Sequence, residues 1–121
     1  MGYRSDVVAL MYSVENLPES NLMVKEFIRQ RVTPELMELF DFDGWGVEFR
    51  AEQWKWYEGY ADIDMLEKLF ADYQDAFCEG GYDSKYAYEY IRVGESYDDI
   101  ETHEAGCNQS RLCVQRTITV D

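Results

Sequence analysis

The first run of the chain, Tyr3 to Val14, restricts the fold more than any other segment. It alternates through β-forming residues, with Val8, Leu10 and Tyr12 on one side and Val7, Ala9 and Met11 on the other. Both sides are apolar, so a strand here needs cover on both faces and belongs at the centre of a sheet. A chain of 121 residues suits one α+β domain, expected over 1–121. Its 46% hydrophobic and 16% aromatic residues can build a core, which excludes a disordered chain.

The elements that follow are read from periodicity and punctuation. Asn16 to Ser20 breaks the strand, and a helix is expected from about Ser20 with Val24, Phe27, Ile28 and Val32 at helical spacing. Thr33-Pro34-Glu35 caps a short helical turn carrying Leu36, Met37, Leu39 and Phe40, and Asp41 to Gly46 reads as a turn. Val47, Phe49 and Ala51 alternate with Glu48, Arg50 and Glu52 as a half-buried strand. A second helix, capped by Asp62, carries the stripe Ile63, Leu66, Leu69, Phe70, Tyr73 and Phe77 and ends at Gly80-Gly81. Lys85 to Val93 is a strand, Gly94 to Gly106 an acidic connection with a helical turn near Asp99 to His103, and Arg111 to Val120 a closing strand. Arg116 interrupts the inward side of that last strand and is expected to pair with a carboxylate. The expected fold is α+β: a four-stranded antiparallel sheet with two helices on one face, in a ferredoxin-like split βαβ arrangement.

Charge narrows the function classes. The formal net charge is −14, and it is segmental. Residues 1–34 hold four acids and four bases; residues 35–104 hold twenty acids against five bases, a net of −15; residues 105–121 come to +1, with two bases and one acid. Direct nucleic-acid binding requires a basic surface, and anionic membranes repel this sign, so neither is expected as a partner. No signal-peptide core follows the N-terminus, and Gly2 misses the myristoylation pattern because Asp occupies position 6. Cys78, Cys107 and Cys113 show neither redox-pair nor usual zinc spacing and read as reduced thiols of a cytoplasmic protein.

No motif for chemistry stands out. His103, the single imidazole, sits in Glu101-Thr102-His103-Glu104; it reads as a solvated loop histidine before it reads as a base or metal ligand. There is no GxSxG elbow, HExxH or phosphate-cradling glycine loop. Asp41 with Asp43, or Asp98, Asp99 and Glu101, are carboxylates able to collect a divalent cation, but the first group lacks the further oxygen ligands and the loop-position-12 Glu of an EF-hand. No enzyme activity, cofactor or metal is expected.

Two aromatic groups admit two readings. Trp54, Trp56, Tyr57 and Tyr60 are either the cover of the sheet, with Trp54 and Trp56 divided between core and surface, or an exposed binding platform. Tyr86, Tyr88 and Tyr90 line one side of their strand and are expected to lie half-wet on an open sheet face.

The words Met1-Gly-Tyr-Arg-Ser-Asp-Val7, Lys55-Trp-Tyr-Glu-Gly-Tyr60, Ile91-Arg-Val-Gly-Glu95 with Asp98-Asp-Ile-Glu101, and the ending Arg116 to Asp121 carry a resemblance. Over most of its length the chain resembles a group of short acidic proteins encoded by tailed phages and prophages. The resemblance implies a phage setting in the host cytoplasm, where such proteins are commonly inhibitors of host enzymes or defence systems. It brings no catalytic or binding residues with it.

Two functions follow as expectations. One is a nucleic-acid mimic that inhibits a basic host or defence protein; duplex DNA carries about one negative charge per 1.7 Å of axis, and an acidic fold can approach that density. Its contact residues would be Asp64, Glu67, Asp72, Asp75 and Glu79 on the second helix, with Glu95, Asp98, Asp99, Glu101 and Glu104 after the tyrosine strand. The other is a ligand-binding or homodimerising module working through the aromatic sheet face of Trp54, Trp56, Tyr57, Tyr86, Tyr88 and Tyr90.

Overall fold

The computed structural model describes residues 4–15, 18–42, 46–56, 59–95, 99–107, 112–114 and 118–120, the last two stretches as backbone. The N-terminal run forms β1 (Ser5–Ser13), followed by α1 (Pro18–Arg29), the four-residue α2 (Pro34–Met37) and β2 (Phe40–Asp41). Then come β3 (Val47–Trp54), α3 (Ala61–Phe77), β4 (Tyr86–Val93), β5 (Ile100–Gly106), β6 (Leu112–Val114) and β7 (Ile118–Val120). Thr33 caps α2 by accepting from the Leu36 N–H, with Pro34 in the first turn, where its missing donor costs nothing.

The main sheet runs β2-β3-β1-β4-β5, antiparallel at every pairing. β1 is central, as its two apolar sides require. β1 and β2 run parallel with β3 between them, and α1 and α2 make the connection. The sheet has five strands where four were expected. Of residues 94–106, expected as a connection, those from Ile100 onward form β5, paired with β4 along its length. Of the closing strand expected over 111–120, the described parts are β6 and β7, which pair with each other and not with the main sheet. Phe40, expected in a helical turn, opens β2 and pairs with Phe49.

One sheet face carries Val7, Ala9 and Met11 of β1, Phe49 and Ala51 of β3, and Tyr88 and Tyr90 of β4, and α1 and α3 pack on it. From the helices come Val24, Ile28, Leu66, Leu69, Phe70 and Tyr73. Apolar burial of this kind supplies roughly 1.5–3 kcal/mol per large side chain relative to exposure. Tyr73 ties the layers together: its hydroxyl donates to the Ala87 carbonyl at 3.0 Å, across the sheet face.

The opposite face is buried as well. Val8, Leu10, Tyr12, Ala87, Glu89 and Ile91 are all at most 6% exposed. β6 contacts β4, whose edges β1 and β5 already occupy. The register lays a row of carboxylates across this face, Asp41 and Glu48 on one side of Leu10 and Glu89 and Glu104 on the other. Like charges opposite one another oppose strand pairing. Arg50 relieves Glu48 at 3.4 Å, and the Tyr12 hydroxyl donates to Glu89 at 2.5 Å.

Candidate functional site: the outer side of α3 and its cleft with β5

The expected acidic contact set is divided by the fold. Ile63, Leu66, Leu69, Phe70 and Tyr73 turn into the core and leave Asp64, Glu67, Asp75 and, just past the helix, Glu79 exposed. Asp64 through Asp75 spans roughly 16 Å of helix axis. Asp62 is not the cap: Tyr60 holds that position without a side-chain bond, and Asp64 Oδ1 accepts from the Gly59 N–H at 2.9 Å. At the other end the Cys78 N–H donates to the Gln74 carbonyl, and Gly80 leaves at φ 103°, a left-handed conformation suited to glycine. Asp75 and Glu79 therefore stand at the negative end of the helix dipole, with no basic residue in the last turn. Neither bonds to a described residue.

The other expected contact acids are engaged or turned elsewhere. Asp72 pairs with Lys68 at 3.2 Å and lies 4.0 Å from Arg31. Glu95 accepts from the Arg4 N–H at 3.0 Å. Arg92 holds Asp99 at 2.9 Å and Glu101 at 3.1 Å, and Asp99 before Glu101 raises its already high pKa. Glu104 stands in the carboxylate row of the opposite sheet face. Asp98 lies outside the described residues, as do Asp43, Tyr57 and Arg116.

The aromatic surface is corrected in its main part. Tyr88 and Tyr90 are 2% and 5% exposed, beneath α3, because the stripe of that helix takes this sheet face as its partner. Tyr86 is half-buried with its ring 4.8 Å from Phe77. Trp54 and Trp56 are not divided between core and surface; both are half-buried against the same core. Residues two apart in extended chain share a side, and which side they take is set by a bulge between β1 and β3, where Val7 pairs with Ala51 but Ser5 with Trp54. The extra residue is accommodated at Gln53, whose φ is +57° and whose N–H donates to Asp6 at 2.8 Å. The shift of one residue turns Trp54 to the face of Ala51.

Between α3 and β5 lies a cleft of about 250 Å³. Glu67, Phe70, Ala71 and Gln74 form its helix wall, Tyr88 and Tyr90 its floor, and Glu101 and His103 its strand wall. Glu101, His103 and Ala105 share this side because they pair with Arg92, Tyr90 and Tyr88. His103 is thus a strand residue and not a loop residue, with Nε2 2.6 Å from Glu101 Oε2. Burial pushes the Glu101 carboxyl up, but the hydrogen bonds from His103 and Arg92 outweigh it and hold the group below its ordinary value. Burial, then neighbouring charge that includes Glu101 and Glu67, pushes the Tyr88 and Tyr90 phenols upward and keeps them neutral. No serine, threonine or cysteine is among the described residues lining the cleft. The sequence signal for this wall was the alternation of Glu101, His103 and Ala105 against Ile100, Thr102 and Glu104, which its low apolar content masks.

The remaining chemistry is sparse. Burial pushes the Cys78 thiol up to about 12, the reverse of an activated nucleophile. The described residues contain no group of three metal-ligating side chains and no helix long and apolar enough to cross a membrane. Comparisons with protein families, with curated proteins and with solved structures gave no significant match.

Proposed function

We propose that this chain is a small acidic binding protein of the phage type, which inhibits a basic host or anti-phage defence protein by presenting the outer side of α3 to a groove that otherwise takes nucleic acid. The observation that carries the reading is the position of Asp75 and Glu79. They are exposed, they pair with no described residue, and they stand where the dipole of α3 disfavours negative charge. Among the described residues nothing favours them there, so a role toward an outside cation accounts for them better than a structural one. Glu67 and Asp64 continue the same side toward the helix start. Such a surface steers a cationic partner and loses affinity as salt rises.

The test joins stability to binding. Asp75→Lys/Glu79→Lys is expected to leave the fold intact or stabilise it by a few tenths of a kcal/mol per site. The same variant is expected to lose capture of basic nucleic-acid-handling proteins at low salt, and duplex DNA should displace them from the unaltered chain. Capture that survives both the charge reversal and excess DNA overturns the reading. Of the aromatic face, Tyr88 and Tyr90 are buried beneath α3, and Tyr86, Trp54 and Trp56 are half-buried.

A further inference from the structure

The two edges of the main sheet are finished differently. β2 ends it with two residues, Phe40–Asp41, whereas β5 presents seven, Ile100–Gly106, and no described strand pairs with its outer side. Short edge strands resist further pairing, and long regular ones template it. β5 carries no proline, lysine or bulge, three of the devices that guard an edge. The Gly94 N–H donates to the Asp99 carbonyl at 2.8 Å and the Cys107 N–H to the Tyr86 carbonyl at 3.1 Å. By the alternation of an antiparallel ladder, the odd-numbered residues of β5 therefore turn their backbone groups toward β4. Those of Ile100, Thr102 and Glu104 point away from the sheet, and all three residues are exposed.

We propose that β5 is the interface of a homodimer, in which a second copy of this chain adds its own β5 antiparallel across a two-fold axis at Thr102 and joins the two sheets into one. The strand itself selects the occupant and the register. New pairing can use only the outward backbone groups, which requires the axis to pass at a residue and not between residues. An axis at Glu101 or at Glu104 sets that glutamate opposite its own copy, and an axis at Ile100 sets Glu101 opposite Asp99; like charges so placed oppose pairing. An axis at His103 sets the two imidazoles opposite each other. An axis at Thr102 sets Glu101 opposite the second copy's His103, twice, and Thr102 opposite Thr102, which are favourable cross-strand pairs. Glu101 and His103 then occupy the non-hydrogen-bonded positions of the new ladder, where side chains approach most closely. A strand of another protein would have to bring a base to face Glu101, whereas β5 carries one at the required spacing of two. Each copy has a net charge of −14, so salt should strengthen the dimer by screening their repulsion. A basic partner on α3 responds to salt in the opposite sense, and the dimer stands whether or not α3 meets one.

Sedimentation velocity of the full chain, from about 10 μM to about 1 mM and at about 0.05 M and 0.5 M NaCl, reads the association. A reversible dimer is expected, with a dissociation constant on the order of 100 μM at the higher salt and weaker at the lower. Thr102→Pro removes an N–H that faces outward, sparing the ladder with β4, and should weaken the dimer about tenfold. His103→Glu sets two pairs of glutamates opposite each other and should weaken it by about the same factor. His103→Lys keeps a cation opposite Glu101 and should hold the dimer at least as tightly as the unaltered chain. The two His103 variants change only an exposed side chain, so they carry the test if Thr102→Pro fails to fold. A chain that stays monomeric at about 1 mM in both salts overturns the proposal. So does a dimer that His103→Glu weakens no more than His103→Lys. Asp75→Lys/Glu79→Lys lies outside the strand and should not weaken the dimer, so failure of the mimic and failure of this interface are told apart.

Discussion

Replacing Tyr12 by Phe removes one oxygen from a position 1% exposed, and it tests how the fold carries a buried carboxylate. Glu89 is 2% exposed, and the Tyr12 hydroxyl donates to its Oε2 at 2.5 Å. The partner opposite Glu89 on β5 is Glu104, and Leu10 lies opposite on β1, so neither cross-strand neighbour offers it a donor. A hydrogen bond to a charged group contributes about 1.5–3 kcal/mol, and its removal leaves the carboxylate less solvated as well. A loss of about 2 kcal/mol is therefore expected. With a urea slope on the order of 1.5 kcal/mol per M, the unfolding midpoint should fall by roughly 1.3 M. The assay is equilibrium urea unfolding followed by tryptophan fluorescence, on Tyr12→Phe, Glu89→Gln and the double variant. In the Glu89→Gln background the same Tyr12→Phe change should cost about 1 kcal/mol less, because the acceptor is no longer charged. An equal cost in both backgrounds, or a midpoint shift under about 0.3 M, would refute the argument that this hydroxyl stabilises the fold through Glu89.

Other predictions rest on separate features. Gly106 sits at φ +69°, and a Cβ there would come within 2.1 Å of the Tyr86 carbonyl and 3.0 Å of Cys78 Sγ, so Gly106→Ala should destabilise by about 3 kcal/mol or more, read as a thermal midpoint about 10 °C lower. Glu101 has a lowered folded pKa, so its contribution is present above the unfolded carboxyl value near 4.5 and is lost as pH falls through the folded one. The stability gap between the unaltered chain and Glu101→Gln should then be widest near neutral pH and close as pH falls below the unfolded carboxyl value and through the folded one, in a series of urea titrations. The Cys78 thiol, at about 12, should alkylate with iodoacetamide at pH 8 only as fast as the protein opens, while 6 M guanidinium exposes it at once.

Much of the fold was legible because local patterns and tertiary needs agreed. The two-sided apolar run became the central strand, Thr33-Pro34 capped a helical turn, and the stripe of α3 faced the core. The departures share one physical origin. β5 has few apolar residues because it is an edge strand, and its pairing is made by backbone groups that carry no sequence signature. The bulge at Gln53 moves Trp54 by one position, and a single shift in a period of two exchanges faces. The tyrosines of β4 looked half-wet from their chemistry alone, yet α3 covers them. In the candidate site, Glu67 and Asp75 were visible as an acidic helix face, while the cleft that joins Glu67 to His103 was not.

From sequence alone came the sign and confinement of the charge, the central place of β1 and the amphipathic face of α3. These follow from composition and short-range periodicity, which any segment carries by itself. Tertiary structure alone decided which carboxylates are left to act. Glu95, Asp99 and Glu101 meet cations or donors contributed by other segments of the chain, and Asp72 lies 4.0 Å from Arg31, whereas Asp75 and Glu79 meet none among the described residues. Whether a charge is compensated depends on what lies within a few ångströms of it in space, and strand order and register set those neighbours.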